Sequence, residues 1–85
     1  MPKKSDGEVQ AEISALTELL PQLPQRARQA VQAAIDVLRD DLTDDAIHEK
    51  FEEGTEEFED ALTACMWRKG VAGSDALSAW YRELM

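Results

Sequence analysis

Apolar residues recur at intervals of three and four along most of the chain, and nowhere alternate with polar ones over the length of a strand. Val9, Ile13, Leu16, Leu20 and Leu23 form the first such series. Pro21 and Pro24 close it, because proline has no N–H for the helix ladder and its ring crowds the preceding turn. Pro24 can then open the next helix, where its missing N–H would have had no partner anyway. That second helix carries a main stripe of Ala27, Val31, Ala34, Ile35, Leu38 and Leu42, with a strip of small residues, Ala30, Ala33 and Val37, beside it. An apolar surface of that width predicts a helix held between two neighbours. Gln25, Gln29 and Gln32 mark its solvent side.

A third series, Ile47, Phe51, Phe58, Leu62 and Cys65, keeps helical register across Gly54. Thr43 or Asp44 caps its start, and Asp44 and Asp45 complement the positive end of the helix dipole. Gly54 costs about 1 kcal/mol relative to alanine inside a helix, and Thr55 behind it could cap a new one. The unbroken register favours a single helix about 39 Å long, kinked or closely approached at Gly54. Lys69 and Gly70 end it, a cation in the last turn followed by a glycine cap. Ser74 and Asp75 start a last helix with the stripe Leu77, Trp80, Tyr81 and Leu84. The pattern predicts an all-α fold, a small bundle of three to four helices, with residues 8–85 as one domain behind a polar, disordered lead at residues 1–7.

Composition narrows this picture. Twelve of the apolar residues are alanine and only five are aromatic, so the core of this 85-residue chain is thin. Pairing with a second copy is a natural way to enlarge it. The strip Ala30, Ala33 and Val37 and the placement of Trp67 motivate a homodimer, in which one patch would face itself. The residues at the start carry lysines with no apolar run behind them, and no stretch reaches the roughly 20 residues of a membrane span. A cytoplasmic protein without membrane contact is expected.

Charge changes the picture most. Residues 36–60 hold twelve Asp or Glu against Arg39 and Lys50, a net charge of −10 where the whole chain carries −9. On a helical wheel centred on Phe58, the residues Asp45, Glu49, Glu52, Glu53, Glu56 and Asp60 fall between about 120° and 220°, opposite the core stripe. Like charges four apart repel by about 0.2–0.5 kcal/mol per pair, and no cation at that spacing relieves the line. Trp67 falls at about 180° on the same wheel and extends it. A line of acids ending in a tryptophan has the composition of a docking surface for a basic protein, with the carboxylates steering the encounter and Trp67 as the desolvated anchor. A sharper form of this reading is imitation of a nucleic-acid backbone. The plainer one is a solvated face that keeps a small protein in solution.

Candidate chemistry is sparse. Cys65 is the only cysteine, which excludes an intramolecular disulfide and a cysteine zinc cluster, and it sits on the core stripe. His48 is the only histidine and precedes Cys65 by 17 residues, more than 20 Å along one helix at 1.5 Å per residue. Asp45, His48 and Glu52 have the spacing of a helical metal motif, but no second carboxylate–histidine pair exists to complete it, and His48 reads as a surface residue. No phosphate loop or nucleotide fingerprint is present. These absences point to a non-enzymatic protein with no metal and no cofactor.

The alternative lies at the C-terminal end. Residues 64–82 look like a helix-turn-helix, with Gly70 and Val71 in the turn, residues 74–84 as recognition helix, and Arg68, Lys69 and Arg82 as its cations. The turn is about one residue too long, and Trp80, Tyr81 and Leu84 resemble core. The chain's negative charge also opposes phosphate contacts. The sequence therefore predicts a regulator, adaptor or inhibitor that docks a basic protein through Asp45, Glu49, Glu52, Glu53, Glu56, Asp60 and Trp67 and makes no direct nucleic-acid contact.

Overall fold

The computed structural model describes residues 3–71 and 77–82. Every regular element among them is helical: α1 (Asp6–Leu19), a 3₁₀ turn (Leu20–Gln22), α2 (Gln25–Asp40), α3 (Asp44–Lys50), α4 (Glu56–Arg68) and α5 (Ser78–Arg82). The expected all-helical class is observed. None of these helices is long and apolar enough to cross a membrane.

α1 begins two residues earlier than expected because Ser5 and Glu8 cap it reciprocally. The Glu8 N–H donates to Ser5 Oγ at 3.2 Å and the Ser5 N–H donates to Glu8 Oε1 at 3.3 Å. Two of the four orphan donors of a helix N-terminus are satisfied this way. The Lys4 N–H also donates to the Arg68 carbonyl at 2.9 Å, tying the start of the chain to the end of α4. Asp6 and Gly7, expected in the lead, thus belong to the first turn of α1. Residues 1 and 2 lie outside the described residues.

The second helix ends where Asp41 turns left-handed, with φ of 50°. A short polar side chain tolerates that conformation better than most. The Leu42 N–H then closes back on the Val37 carbonyl at 3.2 Å.

The expected single helix across Gly54 is instead two. Phe51 leaves α3 in extended conformation, and Gly54 adopts φ of 88°, which is open to glycine and strained for other residues. Thr55 fixes the break from both sides, donating to the Glu52 carbonyl at 2.7 Å and accepting the Phe58 N–H at 3.2 Å as N-cap of α4. Apolar register survives the break because Ile47 and Phe58 both reach the same core from different helices. Continuity would also have stacked Glu49 on Glu53 and Glu52 on Glu56, and the turn removes those repulsive neighbours.

At the far end of α4 the expected stop is present. Gly70 has φ of 80°, its N–H bonds the Trp67 carbonyl at 3.0 Å, and the Val71 N–H bonds the Met66 carbonyl at 3.0 Å. This is the paired arrangement of a Schellman cap. Of the last expected helix, Ser78–Arg82 is observed. Ser74, Asp75, Leu84 and the side chain of Trp80 lie outside the described residues.

The architecture rests on α2 and α4, the most extensive packing in the molecule. They run parallel. Arg26 at the start of α2 meets Glu56 at the start of α4 at 2.8 Å, while Arg68 at the end of α4 meets the Leu38 carbonyl at the end of α2 at 2.7 Å. The α3 crossover makes this possible by carrying the chain back before α4 begins. Ala30, Ala33 and Ala34 on α2 and Ala61 and Ala64 on α4 are all buried, small side chains that let helix backbones approach closely. α1 covers another side of α2. The strip Ala30, Ala33 and Val37 is thus buried within the chain.

Candidate functional site

The break at residues 51–55 divides the expected acid line. Asp45 and Glu49 are exposed on α3, and Glu52 and Glu53 are exposed on the connection. Glu56 and the half-buried Asp60 belong to α4. Thr43 and Thr55 cap the two helices separately, so the six carboxylates are set by two elements and a turn rather than by one wheel. Glu53 is drawn toward α3, its Oε1 3.2 Å from His48 Nδ1, and the His48 ring meets Phe58 edge-on with centroids 5.0 Å apart. His48 therefore braces the turn. Among the described residues no metal-binding group of three His, Cys, Asp or Glu forms.

Trp67 does not extend the acidic surface. It is 1% exposed and is among the largest fully buried side chains. The wheel misplaced it because α4 is buried over more than half its circumference, with Phe58, Ala61, Ala64, Cys65 and Trp67 all in the core. The N-terminal residues reach over this end, with the Lys4 ammonium 5.3 Å from the Trp67 ring centroid. Only the tertiary fold could reveal that cover.

The remaining candidates also have structural employment. Cys65 is buried, with its Sγ donating to Asp44 Oδ1 at 3.5 Å, and burial pushes its pKa above that of an ordinary thiol. That weakens it as a nucleophile. In the helix-turn-helix reading, Arg68 is one of the cations and Ser78 falls within the recognition helix. Arg68 instead holds the Leu38 carbonyl, and Ser78 is buried with its N–H donating to Glu12 Oε2 at 2.8 Å.

A cleft of about 590 Å³ opens between the N-terminal halves of α2 and α4. Pro24, Arg26, Ala27 and Ala30 form its α2 side, and Glu56, Glu59, Asp60 and Thr63 its α4 side. Tyr81 of α5 also lines it. The Arg26–Glu56 pair lies at its rim, with the arginine side chain 82% exposed. Neither Glu59 nor Asp60 has a basic partner within salt-bridge distance among the described residues.

Two groups in this cleft are electrostatically displaced. Burial raises the pKa of Asp60 above its ordinary 3.8, the charges of Glu56, Glu59 and Glu57 add to the rise, and Tyr81 opposes it. Tyr81 is 5% exposed, and burial followed by the Asp60 charge pushes its hydroxyl above the usual tyrosine range. The Tyr81 hydroxyl is the hydrogen-bonding neighbour of the Asp60 carboxylate, in an alignment short of ideal.

Sequence reasoning placed Tyr81 in the core, correctly for its burial, but could not pair it with Asp60. Glu59, Thr63 and Arg26 were missed as well. The available signal was the spacing Glu56, Asp60, Thr63, one face of a short helix beginning at Thr55. No known family matches the chain, and neither curated proteins nor solved structures yield a significant match.

Proposed function

We propose that this protein is a non-enzymatic docking module that binds a basic protein surface through its acidic side and acts as a regulator, adaptor or inhibitor. The observation that carries this reading is the lack of internal neutralisation. Residues 44–60 contain nine carboxylates and one lysine. Asp45, Glu49 and Glu52 are exposed with no basic side chain within salt-bridge distance among the described residues. A solvated face that served only solubility would more often mix its signs. Unneutralised carboxylates on a folded scaffold raise encounter rates with cationic partners and fix their orientation. Division of the acids by the turn at residues 51–55 favours a compact basic patch over an extended groove shaped for a nucleic-acid backbone.

The test is capture of basic proteins by the wild type and by the variant Asp45→Lys, Glu49→Lys, Glu52→Lys, at low and moderate salt, with circular dichroism confirming equal helicity. A partner held by the wild type, released by salt and lost to the variant supports docking. Equal capture by both proteins would return the acids to a solubility role.

A further inference from the structure

Among the described residues the exposed large apolar side chains are Met66, 45% exposed near the end of α4, and Val71, 65% exposed just beyond it. The Schellman cap makes them neighbours, because the Val71 N–H closes on the Met66 carbonyl at 3.0 Å. One turn before Met66 lies Leu62, partly buried against the core. Exposed charges of opposite sign flank this apolar centre, Glu59 three residues before Leu62 and Lys69 three residues after Met66. Together the four form a ridge on the face of α4 opposite the buried Ala64. Their spacing of three, four and three is that of the a and d positions of a coiled-coil seam.

The order of the charges identifies what covers the ridge. Glu59 and Lys69 have their midpoint at Ala64, and so do Leu62 and Met66. A second α4 laid antiparallel across a two-fold axis at that level sets Glu59 against Lys69 of the second copy and Leu62 against Met66 of the second copy, each contact occurring twice. A parallel copy would set glutamate on glutamate and lysine on lysine. Neither charge is committed elsewhere. Glu59 has no cation within salt-bridge distance among the described residues, and Lys69 reaches only Asp44, at 3.8 Å, with both side chains more than half exposed. Such a pair contributes little and is readily exchanged.

We propose that this ridge is an antiparallel dimer interface between two copies of the chain. It is separate from the exposed acids of α3 and goes beyond the docking reading. The seam from Glu59 to Lys69 is about 15 Å long, at 1.5 Å per residue. With Val71 at its margin it remains smaller than a standard interface of roughly 1,600 Å², so the expected dissociation constant is about 0.1–1 mM. Two chains of net charge −9 also repel each other. The test therefore belongs at about 0.15 M ionic strength, where charges more than about 8 Å apart are largely screened.

The experiment is an NMR concentration series on the full chain, with sedimentation equilibrium to report mass. Shifts at Leu62, Met66, Lys69 and Val71 should grow with concentration as the average mass rises from 9.5 kDa toward twice that value. Met66→Lys, at an exposed helix position, should abolish both effects while preserving helicity. Glu59→Lys and Lys69→Glu should each weaken association about tenfold, because symmetry makes each substitution break two pairs. Mixed in equal amounts, these two variants should associate again. The introduced lysine then faces the introduced glutamate, and the native pair is kept at the other contact. A damaged fold could not be rescued by mixing. A mass that stays at 9.5 kDa at about 1 mM would overturn the proposal and leave the ridge to a partner of another kind. Association unchanged by Met66→Lys, or not recovered on mixing, would overturn it as well.

Discussion

The two ends of the α2–α4 pair make an instructive comparison, because parallel helices give them opposite electrostatics. At one end both C-termini lie together and their negative dipole ends add. Arg68 answers them. Its Nη1 donates to the Leu38 carbonyl at 2.7 Å, its Nη2 lies 3.8 Å from Asp6 Oδ1, and its Nε lies 3.2 Å from Asp41 Oδ1 without the alignment of a hydrogen bond. Lys4 and Trp67 close over the same end. At the other end both N-termini lie together and carboxylates answer them, but Glu56, Glu57 and Glu59 outnumber Arg26, the one arginine paired with them among the described residues. One end is a lock and the other remains an open, negatively charged cleft. Equal electrostatic logic yields structure where a buried cation reaches its acceptors, and a candidate interface where the compensating charges exceed what they compensate.

The comparison breaks most severely if Trp67 is not part of the lock. Trp67→Ala should cost about 3–5 kcal/mol, as for other large buried aromatics. That is a large share of the roughly 4–13 kcal/mol expected for a chain of this size. A guanidinium melt measures it directly. A loss below about 1 kcal/mol would put the ring at the surface, where the wheel had it.

Removing the charge from the same end comes next. Arg68→Met keeps much of the apolar stem and deletes the charge-assisted bond to the Leu38 carbonyl, a loss of about 1.5–3 kcal/mol. The equivalent change at the open end, Arg26→Met, should cost less than about 1 kcal/mol, since Arg26 is highly exposed and surface pairs contribute little. Similar losses at both ends would erase the distinction.

These two ends were unequally legible in the sequence. The helical class, the stop at Gly70 and the wide apolar surface of α2 follow from local rules of spacing and capping, and the chain obeys them. The parallel pairing does not follow from any local rule, because it depends on α3 returning the chain across the bundle. That single fact moved Trp67 inward and covered the strip Ala30, Ala33 and Val37, while the turn at residues 51–55 split the acid line. Glu12 shows the same limit: nothing in its neighbourhood on α1 announces that its carboxylate accepts the Ser78 N–H at 2.8 Å. Gly54 is the instructive case, since helical register and turn chemistry disagreed there and turn chemistry prevailed.

That disagreement has a test whose sign decides it. In a continuous helix, Gly54→Ala would stabilise by about 1 kcal/mol. With φ of 88° at Gly54, the same substitution should instead destabilise by about 1 kcal/mol. A methyl group there would meet no atom within 4 Å, so backbone strain alone sets the cost. Thermal melts of the two proteins separate the cases.

The smallest effect probes the open end most finely. Asp60 carries a pKa raised above 3.8 in the folded chain, chiefly by burial and then by the charges of Glu56, Glu59 and Glu57. A folded state that binds a proton more tightly than the unfolded one is favoured at low pH, and that contribution is lost as pH rises through the raised value. At neutral pH the ionised Asp60 therefore works against folding. Asp60→Asn should raise stability at pH 7 by about 0.2–0.5 kcal/mol, the size of one relieved like-charge pair on a helix. The gain should vanish below about pH 3.8, where the wild-type carboxyl is protonated in both states. An equal gain at both pH values would trace the effect to side-chain shape rather than charge. A loss at pH 7 would mean that the Tyr81 hydroxyl holds the carboxylate more strongly than its geometry indicates. It would then be a satisfied pair, and the open end would be closed by a lock of its own.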